Sequence, residues 1–332
     1  MSAADSVFSA DNAPFLPRRR IDSALADCSN EEMPESCGIR FTSLFKSSAV
    51  MVGDVRCRPA DGACGCEECS TMDDIAFVRR GVFVKHLGTR QVVANANHAV
   101  FFNRDEVYRV SHPVAGGDDC SVFWIRRDLL DSVAAAHDPA ASGRRRLFAV
   151  PEAPVANSIY LSHLELMRAV HSRHLTDIAV EERVLALVGG LLQSIHEVRG
   201  APRRTRRFDT DAAHADAAAR VRNFLSAHYA EPLGIDDVAE AVHLSPYHMC
   251  RVFRDRTGHT IHGYRTQLRL RAALARLDEG DDDLTRLALD LGFSDHSHFT
   301  TLFRRAFGVS PSAFRAGRTR SLRREMSKTL QA

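Results

Sequence analysis

Between Phe41 and Arg126, short apolar and β-branched runs alternate with polar turn residues. The runs read IAFVRRGVFVKHL, RQVVA, HAVFFN, VYRVSH and CSVFWI, and the turn segments between them include GT, NAN, NRDE and PVAGGDD. Several short strands at this spacing are typical of an antiparallel sheet or barrel. We therefore expect a β domain over residues 41–150.

The hydrophobic period lengthens to three or four residues after Pro154. Leucine, valine, isoleucine and methionine recur at this interval as far as Val198, which predicts two amphipathic helices joined between His174 and Ile178. The following segment, RGAPRRTRRFDTDAAH, is polar, rich in arginine and contains proline, so it is the best candidate for an interdomain linker. The predicted divisions are an N-terminal extension that is poorly ordered in part (1–40), the β domain, a helical dimerisation region (151–199), the linker (200–212), a C-terminal domain (213–318) and a basic tail (319–332).

Beyond the linker the chain is predicted to be helical and repeats itself once. The segment IDDVAEAVHLSPYHMCRVFRDRTG, from Ile235, aligns with LTRLALDLGFSDHSHFTTLFRRAFG, from Leu284. Two copies indicate a duplicated supersecondary unit, because a solenoid would need three or more. Each copy predicts a short helix, a turn and a second helix that opens on a serine, Ser245 or Ser294, as its N-cap. This order is typical of a helix-turn-helix unit, whose second helix enters the major groove of DNA.

The second helix of each copy has one apolar face and one polar face. Polar side chains on such a helix can reach base edges and phosphates, and an arginine near the helix start is a natural partner of guanine. The alternative is that they are ordinary solvated helix residues. The candidate DNA-contacting residues are Ser245, Tyr247, His248, Arg251, Arg254, Ser294, His296, Ser297, His298, Thr301, Arg304 and Arg305. A long helix from Tyr264 joins the copies, and its predicted packed side consists of Leu268, Ala272, Ala275 and Leu277. Heads in successive major grooves must lie about 34 Å apart.

The charge distribution favours a polyanionic partner for the C-terminal part alone. The 332-residue chain has a net charge of +2, but residues 201–332 carry 22 Lys and Arg against 16 Asp and Glu, whereas residues 1–200 carry 22 against 26. A basic part joined to an acidic part suggests that only the basic part meets a polyanion. The alternative is that these charges form an ordinary solvated surface.

The duplicated segment resembles the DNA-binding domain of AraC/XylS-family transcription regulators. The resemblance covers Ala213–Arg318 and rests on Leu244-Ser245, Arg251 and Phe253 in the first copy and on the GF, FR and FG.SP..FR motifs between Gly292 and Arg315 in the second. It implies two helix-turn-helix subdomains bridged by one helix. The base contacts it implies fall on Tyr247, His248, Arg251, His296, Ser297, His298 and Thr301. Other members often have arginine in the place of Thr301, which predicts weaker base readout by the second unit.

The resemblance also implies a plan for the rest of the chain. The expected fold class is α+β, with an N-terminal antiparallel, cupin-like β-barrel and a helix pair, followed by an all-α double helix-turn-helix domain. The expected partners are double-stranded DNA, a second copy of the chain, a small-molecule or metal effector and, for an activator, RNA polymerase. No enzymatic activity is expected, because Tyr108 stands where a metal-binding cupin frequently has histidine. A catalytic cupin fused to a DNA-binding domain and an architectural DNA binder are the alternatives.

Four of the eight cysteines lie in one short stretch, CRPADGACGCEECS, with the spacing C-x6-C-x-C-x2-C. These cysteines are Cys57, Cys64, Cys66 and Cys69. Four thiolates can close a tetrahedral site for zinc or another thiophilic ion, with Cys120 and His112 as additional ligands if the barrel folds SHPVAGGDDC next to this stretch. Thiol redox sensing and the absence of a chemical role are the alternatives. Glu67 and Glu68 argue against a highly reactive thiol, because neighbouring carboxylates raise the pKa of thiols.

The N-terminal segment and the hydropathy of the chain bear on its cellular location. MSAADSVFSADNAPFLPRRR has no basic start followed by an apolar run and a cleavage site, so no signal peptide is predicted. The chain has no uncharged apolar stretch of about 18 residues, so no membrane span is predicted. We therefore expect a cytoplasmic protein, in which structural disulfides are disfavoured.

Overall fold

Two antiparallel sheets form the β domain in the computed structural model, which describes residues 38–59, 65, 67–138, 144–173, 175–200, 208–281 and 283–317. The strands are β1 (Ile39–Lys46), β2 (Val50–Cys57), β3 (Glu68–Cys69), β4 (Asp74–Gly81), β5 (Phe83–Leu87), β6 (Arg90–Ala94), β7 (His98–Phe102), β8 (Val107–Ser111), β9 (Asp118–Ile125) and β10 (Glu152–Pro154). The first sheet has the order β1-β2-β9-β4-β7-β10 and the second β3-β8-β5-β6. The antiparallel sheet predicted from the alternating runs is confirmed.

The described helices cover one face of the first sheet and continue into the C-terminal part of the chain. They are α1 (Arg127–His137), α2 (Asn157–His171), α3 (Asp177–Gly200), α4 (Phe208–His228), α5 (Ile235–Ala241), α6 (Pro246–Thr257), α7 (Ile261–Glu279), α8 (Leu284–Asp290) and α9 (His296–Phe307). A further helical segment occupies 311–317. Helices α2 and α3 confirm the predicted pair, whereas α1, β1, β2 and β10 lie outside the predicted runs.

Alternation along the strands divides the β-domain side chains between two apolar layers. Val52 and Phe123 belong to the cluster on the helix-covered face of the first sheet. Val78 and Val122 lie on its other face and share a cluster with Val92 of the second sheet. Strand residues two apart point to the same face, so the period-two pattern of the sequence builds both layers.

The predicted run IAFVRRGVFVKHL is two strands because the chain turns at Gly81. This residue has φ +76°, and a Cβ there would lie 2.1 Å from the carbonyl oxygen of Gly117. Only glycine accommodates that conformation and that approach. Strand β4 therefore ends in the first sheet and β5 begins in the second.

Helix α3 packs through its predicted apolar stripe on helices of its own chain. Val188 is fully buried. A Cβ at Gly189 would lie 3.6 Å from His137 of α1, and one at Gly190 would lie 3.9 Å from Ile159 of α2. The small residues therefore let α3 approach both neighbouring helices closely.

The segment predicted as the linker, 200–212, overlaps helices at both of its ends. Gly200 is the last residue of α3, and residues 208–212 belong to α4. Residues 201–207 lie outside the described residues.

Helix α7 is buried nearly all round. Leu268 and Leu277 are buried as the sequence predicts, but Ala272 and Ala275 are only half-buried, and Leu274 is fully buried instead. This correction has a simple cause: α7 packs against the β domain as well as against both helix-turn-helix units, so its residues enter two core clusters on different sides of the helix.

Arg271 extends from α7 into the β domain. Its side chain is fully buried and donates hydrogen bonds to the carbonyl oxygens of Ala96 and Val155, and to Asn157 Oδ1 at 3.3 Å. The guanidinium lies 4.6 Å from the ring centroid of Tyr160. Burial lowers the pKa of Arg271 to about 10, so the group is still charged at neutral pH.

A second buried arginine attaches α4 to the β domain. Arg222 forms a bidentate ion pair with Glu152 of β10, at 2.7 and 2.5 Å, and donates to the carbonyl oxygen of Val93. Nearby, Asn95 Nδ2 donates to Tyr264 Oη of α7 at 2.8 Å. Both helices are thus held on the β domain by polar contacts as well as by apolar packing.

We expect the substitution Glu152→Gln to destabilise the chain, because it leaves the Arg222 charge buried without its counter-charge. Breaking a fully buried pair costs about 3–5 kcal/mol, and Glu152 is 20% exposed, so we expect a loss of about 2–3 kcal/mol in the free energy of unfolding. Urea denaturation followed by circular dichroism measures this loss. Glu165→Gln, on the exposed face of α2, is the matched control. Equal unfolding midpoints for the two variants would contradict the structural role of the pair.

We also expect the free energy of unfolding to fall as the pH drops below 6.5. Burial lowers the pKa of His163 to about 3 and holds the pKa of His98 well below its ordinary value of 6.5. The unfolded chain therefore binds protons at pH 5 that the folded chain does not, and each histidine costs on the order of 1–2 kcal/mol between pH 6.5 and pH 5. Urea denaturation across this range should give a shallower pH dependence for His163→Leu than for the wild type. Parallel pH profiles would refute this account.

Candidate nucleic-acid interface

Helices α6 and α9 each bury an apolar face and expose a polar one. Met249 and Phe253 are buried in α6, and Phe299 and Phe303 are buried in α9. The predicted DNA-contacting residues lie on the other faces. The exposed residues are Ser245, Tyr247, Arg251, Arg254, Ser294, Ser297, His298, Thr301, Arg304 and Arg305, whereas His248 and His296 are half-buried. Tyr247, with 80% of its surface exposed, is the most exposed large hydrophobic residue among the described residues.

The helix caps differ from the serine caps predicted. Ser245 occupies the N-cap position of α6, but its side chain makes no capping hydrogen bond, and Pro246 is the first helical residue. The N-cap of α9 is Asp295, whose Oδ1 accepts from the backbone N–H of His298 at 2.7 Å. Ser294 instead donates to Asp295 Oδ2 at 3.0 Å. A carboxylate one residue nearer the helix forms the cap, and the helix dipole favours its negative charge.

The half-burial of His248 has a structural cause. Its ring lies 5.6 Å from the ring of His214 in α4, in an edge-to-face arrangement. His296 is similarly engaged by Thr300, whose Oγ1 lies 3.4 Å from its Nε2. These two histidines therefore project less freely than Tyr247 and Arg251.

A buried arginine of α7 fixes the two helix-turn-helix units relative to each other. Arg269 donates to the carbonyl oxygen of Tyr229 at 2.5 Å, to that of Glu231 at 3.1 Å and to that of Gly292 at 2.6 Å. Gly292 has φ +79°, and a Cβ there would lie 2.2 Å from the Ala230 carbonyl oxygen. The turn of the second unit is thus clamped against the end of α4, next to the first unit.

The structure describes two of the four cysteines that the sequence groups together, and their environments differ. Cys57 is buried at the end of β2, and Cys69 is exposed in β3. Cys64 and Cys66 lie outside the described residues. No disulfide joins the described cysteines.

Cys57 lies instead beside His112 and Asp118, and the ligand atoms of all three lie within 4.8 Å of one another. His112 and Cys120 are the additional residues that the sequence names; Asp118 is not among its predicted ligands. Cys120 Sγ donates to Asp118 Oδ2 at 2.9 Å. Burial, and then the Asp118 carboxylate, raise the pKa of the Cys120 thiol well above its ordinary value, which argues against a reactive redox thiol at this position.

Residues 238–317 match the sequence model of a family described as a helix-turn-helix domain. The C-terminal region is an AraC-type helix-turn-helix domain. The predicted resemblance of this region is confirmed, and both units of the AraC-type domain lie within the matched residues or within a few residues of them.

Relatives of known name match over the AraC-type domain. The HTH-type transcriptional activator RhaS of Escherichia fergusonii is 40% identical over 99 residues, which are 30% of this chain and 36% of that protein. The regulatory protein PocR of Salmonella typhimurium is 30% identical over 102 residues, 31% of this chain and 34% of that protein. The chain spans about a third of the length of the curated relatives it matches.

Among solved structures, that of ToxT from Vibrio cholerae is 12% identical, with a TM-score of 0.34, and the match covers 81% of this chain and 98% of that one.

None of the described helices has the length and apolar character that a membrane span requires.

We expect Asp295→Ala to lower the thermal unfolding midpoint, because the backbone N–H of His298 loses its partner. Ser245→Ala is the matched control, since Ser245 makes no capping hydrogen bond at the equivalent position of α6. The backbone N–H of His298 and then Ser294 lower the pKa of Asp295 from 3.8, so the stabilisation is present above pH 3.8 and is lost as the pH falls through the lower folded-state value. Differential scanning calorimetry at neutral and acid pH measures both effects. A larger loss in Ser245→Ala than in Asp295→Ala would contradict the assigned caps.

Proposed function

We propose that this protein is a sequence-specific DNA-binding transcription regulator, in which α6 and α9 enter adjacent major grooves. The observation that carries the proposal is the pair of helix-turn-helix units whose second helices each expose a polar and cationic face. The match of the AraC-type domain to named transcriptional activators supports it.

The two ends of each second helix have different roles in this proposal. Tyr247, Arg251 and His298 lie in the N-terminal halves of α6 and α9, which enter a groove most deeply in a helix-turn-helix unit, so we assign them to base edges. Arg254, Arg304 and Arg305 lie nearer the C-terminal ends, and we assign them to phosphates, which position the protein without reading sequence.

The proposal also includes control of DNA binding by the β domain. The contacts of Arg271 and Arg222 with β-domain groups support this part, because a change in that domain reaches the DNA-binding helices through rigid packing. We further propose that the chain acts as a homodimer without enzymatic activity and that, if it activates transcription, it contacts RNA polymerase. Light scattering of the purified chain tests the dimer directly.

The test of DNA binding begins with selection of a binding sequence by the purified full chain from a random duplex library. On the selected sequence, Arg251→Ala should weaken binding by about 1–3 kcal/mol and relax the preference at one base pair. Arg304→Ala should weaken binding to all sequences about equally and reduce the slope of log affinity against log salt by about one. Fluorescence anisotropy across a salt series measures both.

Arg90→Ala is the matched control, because Arg90 is an exposed arginine at the start of β6 in the β domain. It should bind as the wild type does. Failure of the full chain to enrich any sequence would overturn the proposed function, and equal effects of Arg251→Ala and Arg90→Ala would remove Arg251 from the base-reading residues.

A further inference from the structure

Three side chains that can bind a metal ion meet inside the β domain, and a fourth, Cys120, donates to the carboxylate among them. Cys57, His112 and Asp118 are buried, and their ligand atoms lie within 4.8 Å of one another. His112 Nε2 lies 2.7 Å from Asp118 Oδ1, and Cys120 Sγ lies 2.9 Å from Asp118 Oδ2. The cluster thus combines sulfur, nitrogen and oxygen donors away from solvent.

Strand register explains why these residues meet. Cys57 lies directly opposite Asp118 in the pairing of β2 with β9, and Cys120 lies two residues further along β9. The three side chains therefore share one face of the first sheet, the face turned towards the second sheet. His112 follows β8 of the second sheet, so the donors come from both sheets.

The backbone around the cluster is shaped for close approach. Gly117 has φ +68°, and a Cβ there would lie 1.8 Å from the carbonyl oxygen of Cys57. Arg58 Nη1 donates to the carbonyl oxygens of Cys57 and Asp118, each at 2.9 Å, and holds the ends of β2 and β9 together. The positions of the donors are therefore set by the fold before any ligand arrives.

We propose that Cys57, His112 and Asp118 bind one thiophilic divalent cation of the zinc class, beside Cys120, which donates to Asp118. Zinc accepts cysteine sulfur, histidine nitrogen and aspartate oxygen in four-coordinate sites, whereas calcium and magnesium require oxygen ligands. Binding replaces the thiol proton of Cys57, which passes to solvent. The site shares Cys57 with the cysteine-rich stretch, but it does not include the exposed Cys69.

The site also has a route to the DNA-binding helices, and this regulatory part rests on the proposed function. Asp118 pairs with Gly81 of β4, and Asp119 pairs with Arg80. Arg80 Nη2 in turn donates to Glu279 Oε2 at the end of α7, at 2.5 Å. A bound cation would draw Asp118 towards Cys57 and His112. Asp118 is the neighbour of Asp119, which pairs with Arg80, and Arg80 forms the ion pair between the β domain and α7. We infer that occupancy of the site changes the DNA affinity.

The test uses the full chain, purified under reducing conditions, stripped with a chelator and titrated with Co²⁺ and then Zn²⁺. One equivalent of Co²⁺ should produce visible d–d bands and a near-ultraviolet sulfur-to-cobalt charge-transfer band, and Zn²⁺ should abolish both. The triple variant Cys64→Ser/Cys66→Ser/Cys69→Ser should keep these bands. Cys57→Ser and His112→Ala should weaken Co²⁺ binding by more than about tenfold.

Absence of the charge-transfer band in the wild type would overturn the site. Loss of this band in the triple variant would also overturn it, provided that an unchanged circular dichroism spectrum shows that the variant is folded. The wild type and the triple variant both retain Cys57, His112 and Asp118, so the test does not depend on whether the ligand variants fold. Retention of full affinity in folded Cys57→Ser also overturns the site.

The regulatory part is tested by anisotropy on the selected DNA sequence with and without one equivalent of Zn²⁺. We expect the dissociation constant to change by about fivefold or more. Equal affinities in a chain that binds zinc would overturn the regulation and leave the site. Failure of the zinc-bound and zinc-free chains to bind any DNA would overturn the proposed function, while the cobalt titration would still decide the site.

Discussion

Burial of helix α7 on several sides is the constraint on which the rest of the structure depends. Its apolar residues enter a core that runs from the first β-sheet into the second helix-turn-helix unit, and others enter the core of the first unit. A helix in such a position leaves little room for charge. Arg269 and Arg271 are accommodated because carbonyl oxygens of the surrounding segments accept most of their hydrogen bonds. Displacing one of these carbonyl oxygens would leave a buried guanidinium N–H without an acceptor, which is costly. The positions of these segments and of α7 therefore depend on each other.

The sequence predicts the elements of the C-terminal domain better than it predicts their packing. The internal repeat and the caps locate α5, α6, α8 and α9, because local chemistry determines where short helices begin and end. The sequence does not show whether Ser294 or Asp295 caps α9, because the two residues are adjacent and both types are suitable N-caps. The sequence also does not reveal that α7 is buried on several sides, because the carbonyl oxygens that accept from Arg269 and Arg271 lie in distant segments of the chain.

The β domain shows the same division between local and long-range information. Alternating runs locate β4 to β9, but the pairing of β2 with β9 joins segments some 60 residues apart, and that pairing alone brings Asp118 to Cys57. The density of cysteines predicts a site within one stretch of the chain, whereas the register of the sheet places Cys57 beside Asp118 and His112. The D-x-C spacing of Asp118 and Cys120 was the available signal, because residues two apart on a strand share a face.

The clamp that Arg269 forms between the turn at Gly292 and the end of α4 has a consequence for the DNA as well. Two helix-turn-helix units joined by a flexible linker could bind half-sites at variable spacing, but two units fixed to one stiff helix require a constant spacing. Each inserted base pair rotates one half-site by about a tenth of a helical turn relative to the other. Under the proposed function, the target therefore has two half-sites separated by a spacer of fixed length, and such sites change by base substitution far more readily than by insertion or deletion.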